Sequence, residues 1–334
     1  MLKTESMHFY KTIFVLLIMF TNSKLFSYEE GIALNGDLEI YYRDYGPKDA
    51  EPILLVQGIG GQLINWPEHL IDFLLENNFR PIVYDNRDTG LSSRIPSDSF
   101  SDAKRDNTIV KNYIRYYLRL PIKSDYTLDD MAVDGISVLN KLDISEAHIL
   151  GISMGGMIAQ IIVSSNPERT KTFTLISSTA STPSPFNGPT RKVRKLLMNR
   201  TKNPNSTVDE RVARSRKIFT EIGYQGIDLN TEEFYNNVSI SIERGGKDDT
   251  GFGRQLNAIL ASQNRLDKVK SISSPTLIIH GLEDPLIKVK NAHKANKLIK
   301  GSKLIIIDDM RHLIEPPVFN QFKDDLLEHL VKNK

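Results

Sequence analysis

The chain has 334 residues, of which 40% are hydrophobic and 25% charged, and its formal net charge is +2. This is ordinary globular composition, sufficient for one large domain with an insertion or for two small domains. Without cysteine, the chain has no disulfide, thiolate nucleophile, acylated cysteine or cysteine-ligated metal. The seven histidines show no metal-binding pair spacing, and no basic stripe is interleaved with stacking aromatics. We therefore expect neither a metal site nor nucleic-acid binding.

The first 27 residues have the features of a secretory signal peptide. Lys3 and Lys11 precede an apolar run at residues 13–20, and a short polar stretch follows. The run is too short to span a bilayer, which takes about 20 apolar residues as a helix. We predict that residues 1–27 direct export to the periplasm or the medium. An uncleaved membrane anchor or an apolar helix packed on the body are the alternatives.

Strand and helix patterns alternate after this leader. Strands are predicted at residues 38–42, 52–56, 81–84, 147–150, 171–177, 276–280 and 304–307. Helices are predicted at residues 66–77, 127–142, 157–165 and 291–299, with Thr127 as an N-cap. Such alternation predicts an α/β fold whose mostly parallel sheet is covered on both faces. Its core comprises residues 28–181 and 265–334.

Residues 182–264 break this alternation. They show no buried-strand pattern, only helical patterns interrupted by prolines and glycines. Because this insertion falls between two core strands, we predict a helical cap over the carboxyl edge of the sheet, where open α/β sheets bind ligands. The cap contains a basic run, residues 191–195 (Arg-Lys-Val-Arg-Lys). We interpret the run as a solvated helix face. Attraction of an anionic substrate, or peripheral contact of the cap with a membrane, is the alternative.

Residues 151–156 (Gly-Ile-Ser-Met-Gly-Gly) lie between a predicted buried strand and a predicted helix. A serine on so tight a turn exposes its hydroxyl, and its neighbours must be small because a Cβ would collide with strand or helix. The N-terminus of the following helix points at Ser153, where its N–H groups can stabilise an oxyanion. A glycine-rich turn with a solvated serine has the same local pattern, so the catalytic interpretation depends on finding partners for Ser153.

A nucleophilic serine needs a base, and the base needs an orienting carboxylate. His312 follows the strand predicted at residues 304–307, and Asp284 follows the strand at residues 276–280. Structural roles remain open for both residues, at a helix start and in a turn. Glu283 is a rival acid, but adjacent residues of an extended turn point to opposite sides. We choose Asp284 because Pro285 fixes its backbone, and leave open whether Glu283 can substitute for it.

Residues 57–61 (Gln-Gly-Ile-Gly-Gly) follow another predicted strand and form a glycine-rich loop where a backbone must approach a substrate closely. We predict that the backbone N–H groups of Ile59 and Met154 form an oxyanion hole. The loop lacks the Lys-Ser/Thr pair of a phosphate-binding P-loop and the G-x-G-x-x-G spacing of a dinucleotide site. No cofactor is expected.

Together these motifs resemble the α/β-hydrolase superfamily over residues 31–331. The segments that carry the resemblance are residues 57–61, 65–67, 84–92 and 151–156. Together they resemble the subgroup that contains aclacinomycin methylesterase-type and related carboxylesterases. The order Ser153, Asp284, His312 is also that of the superfamily's triad. Gln57 departs from the family pattern, because many members carry histidine there, but glutamine can still hydrogen-bond the loop. We interpret Arg87 as a structural bridge beneath the site rather than a substrate contact.

The predicted function is that of an exported serine hydrolase that cleaves small-molecule or lipid carboxylic esters through an acyl-enzyme. The elbow serine differs from the aspartate of related dehalogenases and epoxide hydrolases, and the His-Gly-Gly-Pro-Gly loop of proline iminopeptidases is absent. Other activities on the same scaffold stay open: lysophospholipase or lipase, carbon–carbon bond hydrolase, cofactor-free haloperoxidase, and a non-catalytic ligand-binding protein. The sequence specifies neither the physiological substrate nor the oligomeric state.

Overall fold

The computed structural model describes residues 27–96, 105–118, 120–181, 188–199, 206–245, 250–262 and 265–333. The predicted signal peptide lies outside these residues, apart from Ser27. Within the described part of the chain, no helix combines the length and the apolar composition needed to cross a membrane.

Among the described residues, eight strands form one sheet in the order β1-β2-β4-β3-β5-β6-β7-β8. They are β1 (Tyr28–Asn35), β2 (Leu38–Tyr45), β3 (Glu51–Val56), β4 (Phe79–Tyr84), β5 (Ala147–Ile152), β6 (Thr170–Ile176), β7 (Thr276–Gly281) and β8 (Lys303–Ile307). β2 runs antiparallel to β1 and β4, and all other neighbours are parallel. The carboxyl ends of the parallel strands therefore share one edge of the sheet.

Helices connect the strands. They are α1 (Glu68–Glu76), α2 (Arg105–Tyr117), α3 (Leu128–Lys141), α4 (Met154–Ser165), α5 (Arg191–Asn199), α6 (Val208–Ile222), α7 (Glu232–Gly245), α8 (Thr250–Ala261), α9 (Leu266–Lys270), α10 (Lys290–Leu298), α11 (Pro316–Phe319) and α12 (Lys323–Val331). The described parts of the predicted cap are helical, α5 to α8. Both predicted ends of the cap fall on residues outside the description, so its bounds stay a prediction.

A hydrophobic core lies on each face of the sheet. Along β3, Leu54 and Val56 pack in one core while Ile53 and Leu55 pack in the other, as the period of two in a strand requires. Every residue of β4, β5 and β7 is buried. The prediction of an α/β fold with a mostly parallel, doubly covered sheet is thus confirmed.

The structure differs from the prediction at several elements. The sequence pattern missed β1, which pairs with β2 at the edge of the sheet, and it missed α2. The first predicted helix begins at Glu68 because Pro67 takes an extended conformation as N-cap, which leaves Trp66 outside the helix. Thr127 is an N-cap as predicted, and its side chain accepts a hydrogen bond from the backbone N–H of Asp130.

Three buried ion pairs hold the loop that follows β4. They join Asp85 to Arg244 of α7 at 2.6 Å, Arg87 to Asp134 of α3 at 2.6 Å, and Asp88 to Arg254 of α8 at 2.7 Å. Burial raises the pKa of Asp85 and of Asp134, and the arginine beside each opposes that rise. This loop therefore connects the sheet to α3 on one side and to the helices α7 and α8 on the other.

Removing one partner of such a pair leaves a buried charge uncompensated. We expect Asp134→Leu to lower the free energy of unfolding by about 3–5 kcal/mol, because Arg87 loses both of its carboxylate hydrogen bonds. The double variant Arg87→Met/Asp134→Leu should recover most of this loss, as measured by urea unfolding. Asp267→Ala removes the exposed pair with Lys270 and should cost less than about 1 kcal/mol. Equal losses in the single and double variants would contradict this account.

Candidate active site

Ser153 lies on the turn between β5 and α4 with φ 56° and ψ −121°, in the left-handed region that non-glycine residues rarely occupy. Hydrogen bonds to β6 and to the residues after it help to hold the turn. The Ser153 N–H donates to the carbonyl of Ile176 at 3.0 Å, and the Ser178 hydroxyl donates to the Ser153 carbonyl at 2.6 Å. The structure thus has the predicted arrangement of strand, sharp turn and helix, with serine at the apex.

The glycines beside Ser153 allow backbones to approach closely. A Cβ on Gly155 would lie 1.9 Å from the carbonyl oxygen of Val56, and a Cβ on Gly151 would lie 2.5 Å from the carbonyl oxygen of Gly155. Both contacts are with backbone atoms, which cannot move aside as a flexible side chain can. The predicted need for small residues around the serine therefore has a specific steric cause in this chain.

The structure brings Asp284 and His312 into contact. Asp284 follows β7, His312 follows β8, and the Nδ1 atom of His312 lies 2.7 Å from Oδ2 of Asp284. The other carboxylate oxygen, Oδ1, accepts hydrogen bonds at 2.8 Å from the backbone N–H groups of Leu286 and Ile287. Both side chains are buried. The acid is therefore fixed in orientation, and it in turn fixes the imidazole.

Glu283 does not compete for the histidine. Its side chain is 59% exposed, and its nearest ionic contact is with Arg311 at 3.9 Å. Of the two adjacent acids, only Asp284 points inward.

A second histidine, His280, lies beside Asp284, and the sequence analysis missed it. His280, buried in β7, places Nε2 2.6 Å from the carbonyl oxygen of Ile287 and 3.4 Å from Oδ2 of Asp284. Burial lowers the pKa of His280, which favours the neutral ring. Because a carbonyl oxygen only accepts, Nε2 carries the proton and faces the acid-bearing loop. A histidine within an otherwise apolar predicted strand was the signal that could have found it.

Ser153 and His312 line the same cavity, which has a volume of about 300 Å³. Parts of its wall come from the loop at residues 57–61 and from α6 and α7, which contribute Arg211, Ser215, Phe219 and Ile242 among others. A second cavity of about 110 Å³ also reaches Ser153. Its lining is mostly apolar and includes Met154, Met157, Leu256 and Ile259. The serine therefore lies where two chambers of different size and polarity meet.

Hydrogen bonds engage the N–H groups of all three glycines in the loop at residues 57–61. The N–H of Gly58 donates to the side-chain oxygen of Gln57 at 2.8 Å, and the N–H of Gly60 donates to Oε1 of Gln255, in α8, at 2.8 Å. The N–H of Gly61 donates to the Gly58 carbonyl at 3.1 Å. Within the described chain, neither the Ile59 N–H nor the Met154 N–H has an acceptor, and both residues line the smaller cavity beside Ser153.

Gln57 and Gln255 hold this loop from its two sides. Gln57 bonds the loop as anticipated for the residue that replaces the family's histidine. Gln255 was not anticipated: its Nε2 donates to the Arg87 carbonyl at 2.9 Å and to the Thr89 hydroxyl at 2.7 Å.

Arg87 itself lines neither cavity, in keeping with a structural role. Among the described residues, no group of three His, Asp or Glu side chains could hold a metal ion.

Comparison with known proteins places this site in a family. The family described as alpha/beta hydrolase fold matches residues 51–314. Over 312 residues the chain is 25% identical to the rhodomycin D methylesterase of Streptomyces peucetius, covering 89% of this chain and 92% of that protein. An enol-lactonase from Burkholderia xenovorans LB400 is similar in structure, with a TM-score of 0.67 and 19% identity, covering 90% of this chain and 100% of that one.

A further structural neighbour is the 2-hydroxy-6-oxo-6-phenylhexa-2,4-dienoate hydrolase of Rhodococcus sp. strain RHA1. It has a TM-score of 0.67 and 18% identity, and the likeness covers 92% of this chain and 99% of that one. The family match spans more than half of the chain and includes the serine turn, the aspartate and the histidine. The chain belongs to the α/β-hydrolase fold family, as an α/β hydrolase with esterase relatives.

Proposed function

We propose that the protein is a serine hydrolase that cleaves carboxylic esters through an acyl-enzyme, after export directed by residues 1–27. One observation carries the proposal: Ser153 and His312 line one cavity, and Nδ1 of His312 lies 2.7 Å from Oδ2 of Asp284. A serine, a histidine and a buried carboxylate in this arrangement are the parts that nucleophilic acyl transfer needs. The methylesterase similarity supports an ester as the substrate.

The contact with Asp284 sets the roles of the two imidazole nitrogens. A carboxylate accepts hydrogen bonds, so Nδ1 of His312 carries the proton and Nε2 is left as the base. The Ser153 hydroxyl attacks the ester carbonyl while Nε2 takes the hydroxyl proton. Asp284 then stabilises the imidazolium, and the free N–H groups of Ile59 and Met154 bind the oxyanion. In known serine hydrolases one such donor contributes about 2.7–4 kcal/mol of transition-state stabilisation.

The two cavities separate the halves of the ester. His312 lines the larger cavity and is absent from the lining of the smaller one. Because the imidazolium must donate its proton to the departing alcohol, the alcohol occupies the larger cavity. The acyl group, attached to Ser153, occupies the smaller, apolar cavity. Water then enters from the larger side, and His312 activates it to release the acid.

The first test is hydrolysis of p-nitrophenyl esters from acetate to palmitate. We expect turnover by the wild-type protein and a loss on the order of 10⁶-fold in kcat for Ser153→Ala, because alanine has no hydroxyl to attack the ester. Ser215→Ala is the matched control, since Ser215 lines the same cavity and should be dispensable. Absence of turnover with every ester by the folded protein, or equal rates in wild type and Ser153→Ala, would refute the proposal.

The choice between the two adjacent acids gives a second test. Asp284→Asn keeps an oxygen for the N–H groups of Leu286 and Ile287 but presents an amide NH₂ to His312, which favours the wrong tautomer. We expect kcat to fall by about 10⁴-fold with the fold intact. Glu283→Gln removes the neighbouring charge and should leave kcat within about twofold, because Glu283 is exposed. A larger loss from Glu283→Gln than from Asp284→Asn would reverse the assignment of the acid.

A further inference from the structure

Positive charge is concentrated in two segments of the chain. Residues 107–124, which include most of α2, and residues 183–208, which include α5, together contain ten Lys or Arg and no Asp or Glu. The other residues contain 33 Lys or Arg against 41 Asp or Glu. The net charge of the protein is therefore near zero because two strongly basic segments offset the net negative charge of the other residues.

The end of α2 and the turn after it also expose apolar side chains. Four of them are between 43% and 64% exposed: Ile114, Tyr117, Leu118 and Leu120. We call these four residues the α2 patch. Exposed basic residues, Lys111, Arg115 and Lys123, alternate with them along the same segment. Leucine, isoleucine and tyrosine interspersed with lysine and arginine are typical of helices that lie in a membrane interface.

A shared cavity wall places α5 beside α2. Val193 of α5 is buried, whereas Arg191, Lys192, Arg194 and Lys195 are exposed. Burial raises the pKa of Tyr113 and of Tyr117, and the charge of Arg194 opposes the rise at both phenols. Tyr113 of α2 and Arg194 of α5 also line the same cavity, so the two helices lie close together there. The basic side chains of α5 and the apolar side chains of α2 consequently share one region of the surface.

This region is continuous with the smaller cavity. Tyr113 of α2, Arg194 and Leu197 of α5, and Ser153 all line that cavity. The apolar chamber assigned above to the acyl group thus extends from the serine to the two basic segments.

We propose that the α2 patch and the basic face of α5 dock on an anionic lipid membrane and that lipid esters enter the smaller cavity from that side. Lysine and arginine are attracted to anionic headgroups, and the four apolar side chains enter the headgroup–acyl boundary. The docking rests on charge and exposure alone, whereas the choice of a lipid ester as substrate rests on the proposed esterase function. A second copy of the chain fits the surface poorly, because a symmetric dimer through it would bring two basic segments together.

The chain has no cysteine, so a single Leu118→Cys substitution gives a unique site for an environment-sensitive fluorophore in the full-length protein. Val331→Cys is the matched control: Val331 is 47% exposed. Its position is given by the nearby His329, whose ring contacts the carbonyl of Phe173 in β6. Phe173 pairs with Thr276, the first residue of β7, so Val331 lies toward the amino ends of these strands. Ser153→Ala in both backgrounds removes hydrolysis. We expect a blue-shifted emission at position 118, and not at position 331, with vesicles that contain phosphatidylglycerol and not with phosphatidylcholine alone.

Charge reversal tests the electrostatic part. Arg191→Glu/Lys195→Glu should abolish the shift at position 118, and so should about 1 M salt, where the Debye length is about 3 Å. Lys294→Glu/Lys297→Glu on α10 makes the same change in net charge with exposed residues and should retain the shift. With Ser153 present, the first double variant should lose hydrolysis of vesicle-borne esters and keep that of soluble ones.

Several results would overturn the docking proposal: no shift at position 118, equal shifts at both positions, or a shift that follows protein concentration without vesicles, which would indicate a second copy. A vesicle-dependent shift in a protein that hydrolyses no ester would leave the docking standing and refute the proposed function instead.

Discussion

A single close approach, of Gly155 to the carbonyl oxygen of Val56, determines the geometry of the site. With no Cβ in the way, the N-terminus of α4 comes against the carboxyl end of β3. This places Ser153 beside the loop at residues 57–61, and a Cβ built on Gly58 would lie 3.2 Å from that of the serine. The two free N–H groups, from Ile59 and Met154, belong to the two elements joined at this contact.

The loop after β4 gives the site a second constraint. Asp85 and Asp88 bind arginines of α7 and α8, and Gln255 of α8 binds both this loop and the N–H of Gly60. The helices over the cavities and the proposed oxyanion donor are therefore parts of one hydrogen-bonded unit. Buried charges are costly to desolvate, and breaking one such pair leaves its partner buried and uncompensated. These ion pairs and the hydrogen bonds of Gln255 therefore link the shape of the cavities to the position of Ile59.

Much of this could be predicted from the sequence, because the signals are local. A few neighbouring positions specify the serine turn, the glycines around it and the N-cap Thr127. The same holds for the strands that precede Asp284 and His312. Gln255, His280 and the partners of Asp85 and Asp88 could not be predicted in this way. Gln255 meets Gly60 across 195 positions of the chain, and only the tertiary fold selects such a partner. The edge strand β1 was missed because Ala33 is its only buried residue. The helix α2 was missed as well.

The central claim is that Ser153 is a nucleophile activated by His312. The most direct measurement is reaction with a fluorophosphonate, which phosphonylates activated serines, followed by intact mass and peptide mapping. The account predicts one adduct, on the peptide that contains Ser153, and its loss in a His312→Ala variant that remains folded. An adduct on a different serine, or no adduct on the folded wild-type protein, would contradict it.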